Sequence, residues 1–169
     1  MLQRAIQTLL CLSLFAPAVA SADQYILYLH GRLESSWTRP KANLAEWTNV
    51  TFSYDGNAYL EDAAVNSLLK RSFEQYCGVD HSCIVICYSA GCMRTLKTLD
   101  DLRVEGKELS VMWIEAAASA AGGTAIAESS TAFGGRPIDW DLRRDNARGK
   151  WAHLQDATVP AVMYHIAGN

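Results

Sequence analysis

Short apolar runs alternate along the chain with longer stretches in which apolar residues recur at helical spacing. Five runs predict strands: Tyr25–Leu29, Val50–Tyr54, Cys83–Cys87, Leu109–Ile114 and Ala161–Ile166. Apolar positions within residues 65–76 and 92–99 predict helices between them. Right-handed crossovers would join these elements into one mostly parallel sheet of about five strands with helices on both faces. The pattern therefore predicts the α/β class.

The segment from residue 116 to residue 158 breaks this alternation. It contains two Gly-Gly pairs, a proline and a basic cluster of Arg143, Arg144, Arg148 and Lys150. We interpret it as an insertion over one end of the sheet. Aspartates are interleaved with the basic residues, which favours a solvated face of mixed charge over a site for an anionic ligand. Trp140 and Trp151 are candidates for lining a cleft, and core packing is the alternative.

The first 22 residues have the pattern of a secretory signal peptide. Arg4 precedes an apolar stretch, which Pro17 ends before a run of small residues. The stretch is too short to cross a bilayer, so we expect no membrane span. Cleavage after Ala20 and cleavage after Ala22 fit equally well. The sequence predicts an exported protein, periplasmic or secreted, whose single domain occupies residues 23–169.

Composition limits the classes of partner. The 169 residues are 50% hydrophobic and 20% charged, with a formal net charge of −3. The leader carries Arg4 and no acid, so the exported chain is more acidic still. Binding to nucleic acid needs a basic surface and is disfavoured. Neither a GxGxxG nor a P-loop pattern follows any predicted strand, so we expect no nucleotide and no other cofactor.

Four cysteines follow the leader: Cys77, Cys83, Cys87 and Cys92. An exported protein meets oxidising conditions, in which cysteines can pair. A turn-like segment separates Cys77 from Cys83, which makes this pair the disulfide candidate. We expect Cys87 and Cys92 to be small buried residues. The spacings of the four cysteines, even together with His81, do not fit the ligand pattern of a zinc site, so no metal site is predicted.

The chemistry is expected at Ser89, which directly follows a buried strand and begins a helix. A nucleophile elbow needs this arrangement: the turn is tight, and the residues two before and two after the serine must be small. Cys87 and Gly91 occupy those two positions. The helix amino terminus favours developing negative charge. The alternative is a tight strand-to-helix junction without catalytic function.

Two further patterns accompany the elbow. His30-Gly31, with Trp37 further on, follows the first strand, and Asp55-Gly56 follows the second. In this order, with Cys-Tyr-Ser-Ala-Gly at the third strand, the chain resembles the α/β-hydrolase superfamily. It is most similar to the small lipase and esterase-like members, without the first two strands of the fold and its C-terminal part.

The resemblance implies a serine hydrolase that acts on an ester, thioester or amide bond. The expected substrate is a small molecule or a lipid-like ester. The backbone N–H groups of Arg32 and Ala90 would form the oxyanion hole, with Gly31 allowing close approach. The insertion at residues 116–158 would occupy the position of a family lid, and His30 would brace its loop.

The chain departs from the superfamily in its acid and histidine. Such enzymes have the order serine, acid, histidine, each on a loop after a strand. His153 precedes the last predicted strand and His165 lies within it, and Glu115 is only an alternative acid. We therefore expect the catalytic acid and histidine beyond Asn169, on the view that these residues are a fragment. The competing hypothesis is a non-catalytic, hydrolase-like binding protein.

Overall fold

The computed structural model describes residues 22–156 and 162–166, which form a five-stranded parallel sheet in the order β2-β1-β3-β4-β5. The predicted signal peptide lies outside the described residues except for Ala22. The predicted α/β class is confirmed. The strands are β1 (Asp23–Leu29), β2 (Trp47–Thr51), β3 (His81–Tyr88), β4 (Val111–Ala117) and β5 (Val162–Ile166).

Helices connect the strands where the sequence supplies caps and stops. The helices are α1 (Ala63–Cys77), α2 (Ala90–Val104), α3 (Ala125–Ala132), α4 (Pro137–Asp141), α5 (Arg144–Arg148) and α6 (His153–Asp156). The Asp62 carboxylate accepts a hydrogen bond from the Val65 N–H, which caps α1. Pro137 occupies the first turn of α4, where its missing N–H costs nothing.

The core lies mainly between the sheet and the pair α1 and α2. Leu27, Val85 and Ile114 point from the sheet into this layer and are fully buried. The opposite face of the sheet presents Ile26, Tyr28 and Ile84. They are covered by Trp37 and Ala42 from the β1–β2 connection and by Trp47, the first residue of β2. Strand β3 is therefore buried on both sides, as its apolar sequence predicts.

Two predicted boundaries shift. Strand β2 runs over Trp47–Thr51 because this segment pairs with β1, with Trp47 opposite Gln24. Phe52 and Tyr54, which were assigned to the strand, follow it and contribute buried rings to the core. Strand β4 continues to Ala117, where it pairs with Tyr88. The segment that connects β4 to β5 therefore begins after residue 117.

Two disulfides fix the central strand at both ends. Cys77–Cys83 joins the end of α1 to β3, with Cα atoms 5.1 Å apart. Cys87–Cys92 joins the end of β3 to the first turn of α2, with Cα atoms 4.8 Å apart. The expectation that Cys87 and Cys92 are only small buried residues was therefore wrong. Both are buried, but the tight turn at Ser89 also brings them within bonding distance.

Replacing either cysteine pair by alanine should lower the free energy of unfolding by about 2 kcal/mol, because each bridge closes a short loop. Chemical denaturation of Cys77→Ala/Cys83→Ala and Cys87→Ala/Cys92→Ala would measure both losses. Peptide mapping without reductant should recover both bridges from the oxidised protein. Free thiols at Cys87 and Cys92 in that sample would contradict the second assignment.

Candidate active site

Ser89 has a backbone conformation that non-glycine residues rarely adopt. Its φ is 53° and its ψ −123°, and it lies between the last residue of β3 and the first residue of α2. Such a conformation costs roughly 1–3 kcal/mol and persists only where its surroundings hold it. The Ser89 N–H donates to the Ala117 carbonyl at 3.0 Å, and the Ala120 N–H donates to the Ser89 carbonyl at 3.3 Å. The Ser89 hydroxyl does not cap the helix.

Glycines make this close packing possible. A Cβ built on Gly91 would lie 2.5 Å from the carbonyl oxygens of Leu29 and His30. A Cβ built on Gly31 would lie 2.9 Å from the Ser89 Cβ. Only glycine fits at either position without movement of the surrounding atoms. The structure therefore places the loop after β1 directly against Ser89.

The loop after β1 is held by hydrogen bonds on both sides of Arg32. The Gly31 N–H donates to Glu34 Oε2 at 3.2 Å, and the Leu33 N–H donates to Asn57 Oδ1 at 3.2 Å. Leu33 itself has a φ of 64°. Directly after Ser89, Ala90 begins α2, and the first N–H groups of a helix have no carbonyl partner within it.

The side chain of Arg32 connects this loop to the insertion. Arg32 Nε lies 2.5 Å from Asp139 Oδ1, and the Asp139 side chain is only 1% exposed. Arg32 also donates to Asp139 Oδ2 at 2.9 Å and to Ser130 Oγ at 3.0 Å. An ion pair with a buried carboxylate, together with the hydrogen bond to Ser130, therefore links the loop after β1 to α3 and α4.

A cavity of about 540 Å³ opens beside Ser89. Its walls come from the β1 loop, the elbow, the residues after β4, and α3 and α4. The lining residues are Arg32, Leu33, Glu34, Arg39, Tyr88, Ser89, Ala118, Ser119, Ala120, Thr124, Ile126, Ala127, Asp139 and Leu142. Its volume is within the range typical of small-molecule sites.

No histidine is among the described residues that line this cavity. The His30 ring is fully buried and stacks on the Tyr54 ring, with centroids 3.8 Å apart. Burial lowers the pKa of His30, so the ring is neutral at pH 7. Its Nδ1 lies 3.1 Å from the Gly31 carbonyl, and these contacts agree with a bracing role.

The other sequence candidates for base and acid occupy three different positions in the fold. His153 Nε2 lies 3.8 Å from Asp100 Oδ2, and Asp100 is about 16 Å beyond Ser89 along α2 at 1.5 Å per residue. Glu115 pairs with Ile86 within the sheet and is not at the end of β4. The backbone of His165 pairs with Ala116 inside β5.

The tryptophans and the basic cluster of residues 116–158 do not form a ligand site in the described part of the chain. Trp151 is 4% exposed, packs in the core and donates from Nε1 to Asp141 at 3.0 Å. Neither tryptophan of this segment lines the cavity beside Ser89. The basic cluster forms a solvated face in which Arg143 and Arg144 pair with acids. Core packing therefore holds for Trp151 but not for Trp140, which is 43% exposed, and the ion pairs of the basic cluster favour mixed surface charge over a ligand site.

Sequence reasoning did not identify Glu34, Arg39 and Asp139 as part of the site. Glu34 and Arg39 follow the His-Gly pair within nine residues, so their position after β1 could have indicated them. Asp139 is distant in sequence and was counted among the acids of a solvated face. Within residues 22–156 and 162–166, no group of three His, Cys, Asp or Glu residues could hold a metal. No helix in those ranges could cross a membrane.

The comparisons with known proteins give similarity of fold. No protein-family model matches the chain, and no curated protein matches its sequence. The structure of mature Bacillus licheniformis lipase BlEst2 matches with a TM-score of 0.65 and 15% identity, over 88% of this chain and 66% of that one. The propeptide form of that lipase matches with a TM-score of 0.62 and 14% identity, over 36% of its length.

The metagenomic carboxyl esterase MGS0156 matches with a TM-score of 0.62 and 17% identity, over 88% of this chain and 51% of that one. This chain thus spans less than two thirds of each of the three solved structures. At such low identity the likeness concerns the fold. The described chain therefore has an α/β-hydrolase-like fold, similar to that of a lipase and a carboxyl esterase.

Proposed function

We propose that this protein hydrolyses the ester bond of a small molecule or lipid-like substrate through an acyl-enzyme on Ser89. The observation that carries the proposal is the strained Ser89 backbone at a strand-to-helix junction that opens into a 540 Å³ cavity. Strain of this kind is concentrated at functional sites. The fold similarity to a lipase and a carboxyl esterase supports the choice of an ester.

In the proposed reaction, Ser89 Oγ bonds to the acyl carbon and passes its proton to a general base. The carbon–oxygen bond to the alcohol then breaks, and the alcohol leaves with that proton. Water attacks the acyl-enzyme, releases the acid and returns the proton to Ser89. The Arg32 and Ala90 N–H groups stabilise the oxyanion in both steps, and each such donor is worth about 10²–10³ in rate.

We place the general base and its acid outside the described part of the chain, because no histidine is among the described residues that line the cavity. Ser89 alone is a weak nucleophile at neutral pH. The same observation favours a second candidate function, that of a hydrolase-like protein that binds a small ester without cleaving it. Covalent labelling of Ser89 separates the two.

The wild-type protein in its full natural length, with any residues that follow Asn169, should react with a fluorophosphonate probe at Ser89, where Oγ bonds to phosphorus and fluoride leaves. Ser89→Ala should reduce labelling to background because it removes the hydroxyl that bonds to phosphorus. Mass spectrometry of the labelled peptide identifies the residue, and hydrolysis of p-nitrophenyl acetate measures turnover.

The matched control for this experiment is Ser82→Ala, a serine near the start of β3, the strand that Ser89 follows. This variant should label like the wild type. An adduct on Ser119, or labelling that survives in Ser89→Ala, would contradict the nucleophile assignment. A folded wild-type protein that binds p-nitrophenyl acetate but neither labels nor turns over would support the binding protein.

We also propose export of the protein after cleavage of residues 1–20 or 1–22. The two disulfides are compatible with an oxidising compartment. Sequencing the amino terminus of protein recovered outside the cytoplasm should give Ser21 or Asp23 as the first residue. An intact Met1 terminus on that protein would contradict the proposal.

A further inference from the structure

We infer that Glu34 and Arg39 form a positioning pair that holds the Arg32 N–H in register with Ser89. The inference rests on the proposed function, because it gives the pair a role in the geometry of the oxyanion hole. It concerns two charged residues that line the cavity but have no step in the proposed chemistry.

The pair has a two-pronged geometry. Arg39 donates to Glu34 Oε2 at 2.9 Å and to Glu34 Oε1 at 2.7 Å. The guanidinium also lies over the Tyr88 ring, 3.5 Å from its centroid. Tyr88 immediately precedes Ser89, so Arg39 contacts the nucleophile elbow through this ring. A planar fork that also stacks on an aromatic face is specific to arginine.

Glu34 connects the pair to the opposite side of the reaction centre. Its Oε2 accepts the Gly31 N–H at 3.2 Å, and its main-chain carbonyl accepts the Gly56 N–H at 3.0 Å. Gly31 contacts Ser89 so closely that it has no room for a Cβ. The carboxylate therefore fixes the His30–Gly31 peptide, one peptide before the Arg32 N–H, while the guanidinium fixes the ring that precedes Ser89.

The charges of the pair are already compensated, which argues against substrate binding. Their side chains are 20% and 30% exposed, and each oxygen of Glu34 already accepts a hydrogen bond from Arg39. Hydrogen bonding from Arg39 holds the pKa of Glu34 below its ordinary value, so the carboxylate stays ionised at pH 7. An ionised carboxylate has no proton to give to a leaving group. Its contact on the side of Ser89 is the hydrogen bond from the Gly31 N–H.

The kinetic test measures kcat and KM for p-nitrophenyl acetate in wild type, Arg39→Ala, Arg39→Lys and Glu34→Gln. Arg39→Ala should lower kcat roughly 10–100-fold with little change in KM, since a misplaced donor weakens transition-state binding. Arg39→Lys keeps the charge without the fork and should recover only part of the loss. Glu34→Gln retains an acceptor for Gly31 and should lose less than Arg39→Ala.

A second readout does not depend on catalysis. Hydrogen exchange at the Gly31 amide, followed by NMR, should be about 10-fold faster in Arg39→Ala because Glu34 is then free to turn away. The matched control is Arg144→Ala, which removes an equally two-pronged pair with Glu128 at 2.8 and 2.6 Å on the protein surface. Arg144→Ala should leave both Gly31 exchange and kcat unchanged.

The outcomes are distinguishable from failure of the proposed function. If the wild type neither labels nor turns over, the proposed function fails, and Gly31 exchange in Arg39→Ala still decides whether the pair positions the loop. Unchanged exchange at Gly31 would overturn the inference. A rise in KM at constant kcat would also overturn it, because the pair would then bind substrate directly.

Discussion

Gly91→Val should prevent the domain from folding and eliminate labelling at Ser89. A Cβ at Gly91 would lie 2.5 Å from two backbone carbonyl oxygens, those of Leu29 and His30. These atoms cannot give way, because β1 is held by β2 on one side and by β3 on the other. We expect a cost of roughly 4 kcal/mol or more, which is a large part of a typical domain's stability.

The control for this substitution is Gly122→Val. A Cβ at Gly122 has no atom within 4 Å among the described residues, and its φ is not in the left-handed region. Circular dichroism and chemical denaturation of both variants would compare the two sites. Gly122→Val should unfold close to the wild-type midpoint. A folded Gly91→Val protein that labels at the wild-type rate would contradict the elbow geometry.

Periodicity and motif order were sufficient for the architecture. The apolar run at Cys83–Cys87 indicated a strand covered on both faces, and β3 is buried in this way. The Cys-Tyr-Ser-Ala-Gly motif indicated a tight turn, and Ser89 has a positive φ there. Both features are local. A buried strand and a tight turn each depend on a few consecutive residues. Local rules therefore located the elbow and its glycines.

Contacts that depend on how the chain folds could not be predicted from the sequence. Phe52 and Tyr54 are as apolar as strand residues, and only the pairing of β2 with β1, which ends at Thr51 opposite Tyr28, shows that the strand stops before them. The pairing of Cys87 with Cys92 depends on how sharply the elbow turns. Single-sequence patterns do not carry such distances, so the second disulfide was missed.

The basic and acidic residues of the insertion show the same limit. Asp139, Asp141 and Asp145 are all close in sequence to arginines, so one solvated face was the simplest interpretation. In the structure, Asp139 and Asp141 are buried and only Asp145 belongs to that face. The partner of Asp139 is Arg32, more than a hundred residues earlier in the chain. A charge pattern cannot distinguish these three aspartates without the fold.

Asp139→Ala should lower the free energy of unfolding by about 3 kcal/mol, because it removes a buried carboxylate to which three groups donate hydrogen bonds. Asp139 is 1% exposed and accepts hydrogen bonds from Arg32, from Ser130 Oγ at 2.7 Å and from the Arg136 N–H at 2.8 Å. The substitution leaves these donors without their acceptor. Because the same contacts tie α3 and α4 to the loop after β1, Ser89 labelling should also slow.

Chemical denaturation of Asp139→Ala beside Asp145→Ala tests this expectation. Asp145 also pairs with an arginine, Arg143, but it is 62% exposed, so water replaces the lost contact and the change should be small. In a double-mutant cycle, Arg32→Ala/Asp139→Ala should cost less than the sum of the single variants, because no unpaired charge then stays buried. An Asp139→Ala loss no larger than that of Asp145→Ala would show that the insertion is held to the β1 loop by other contacts.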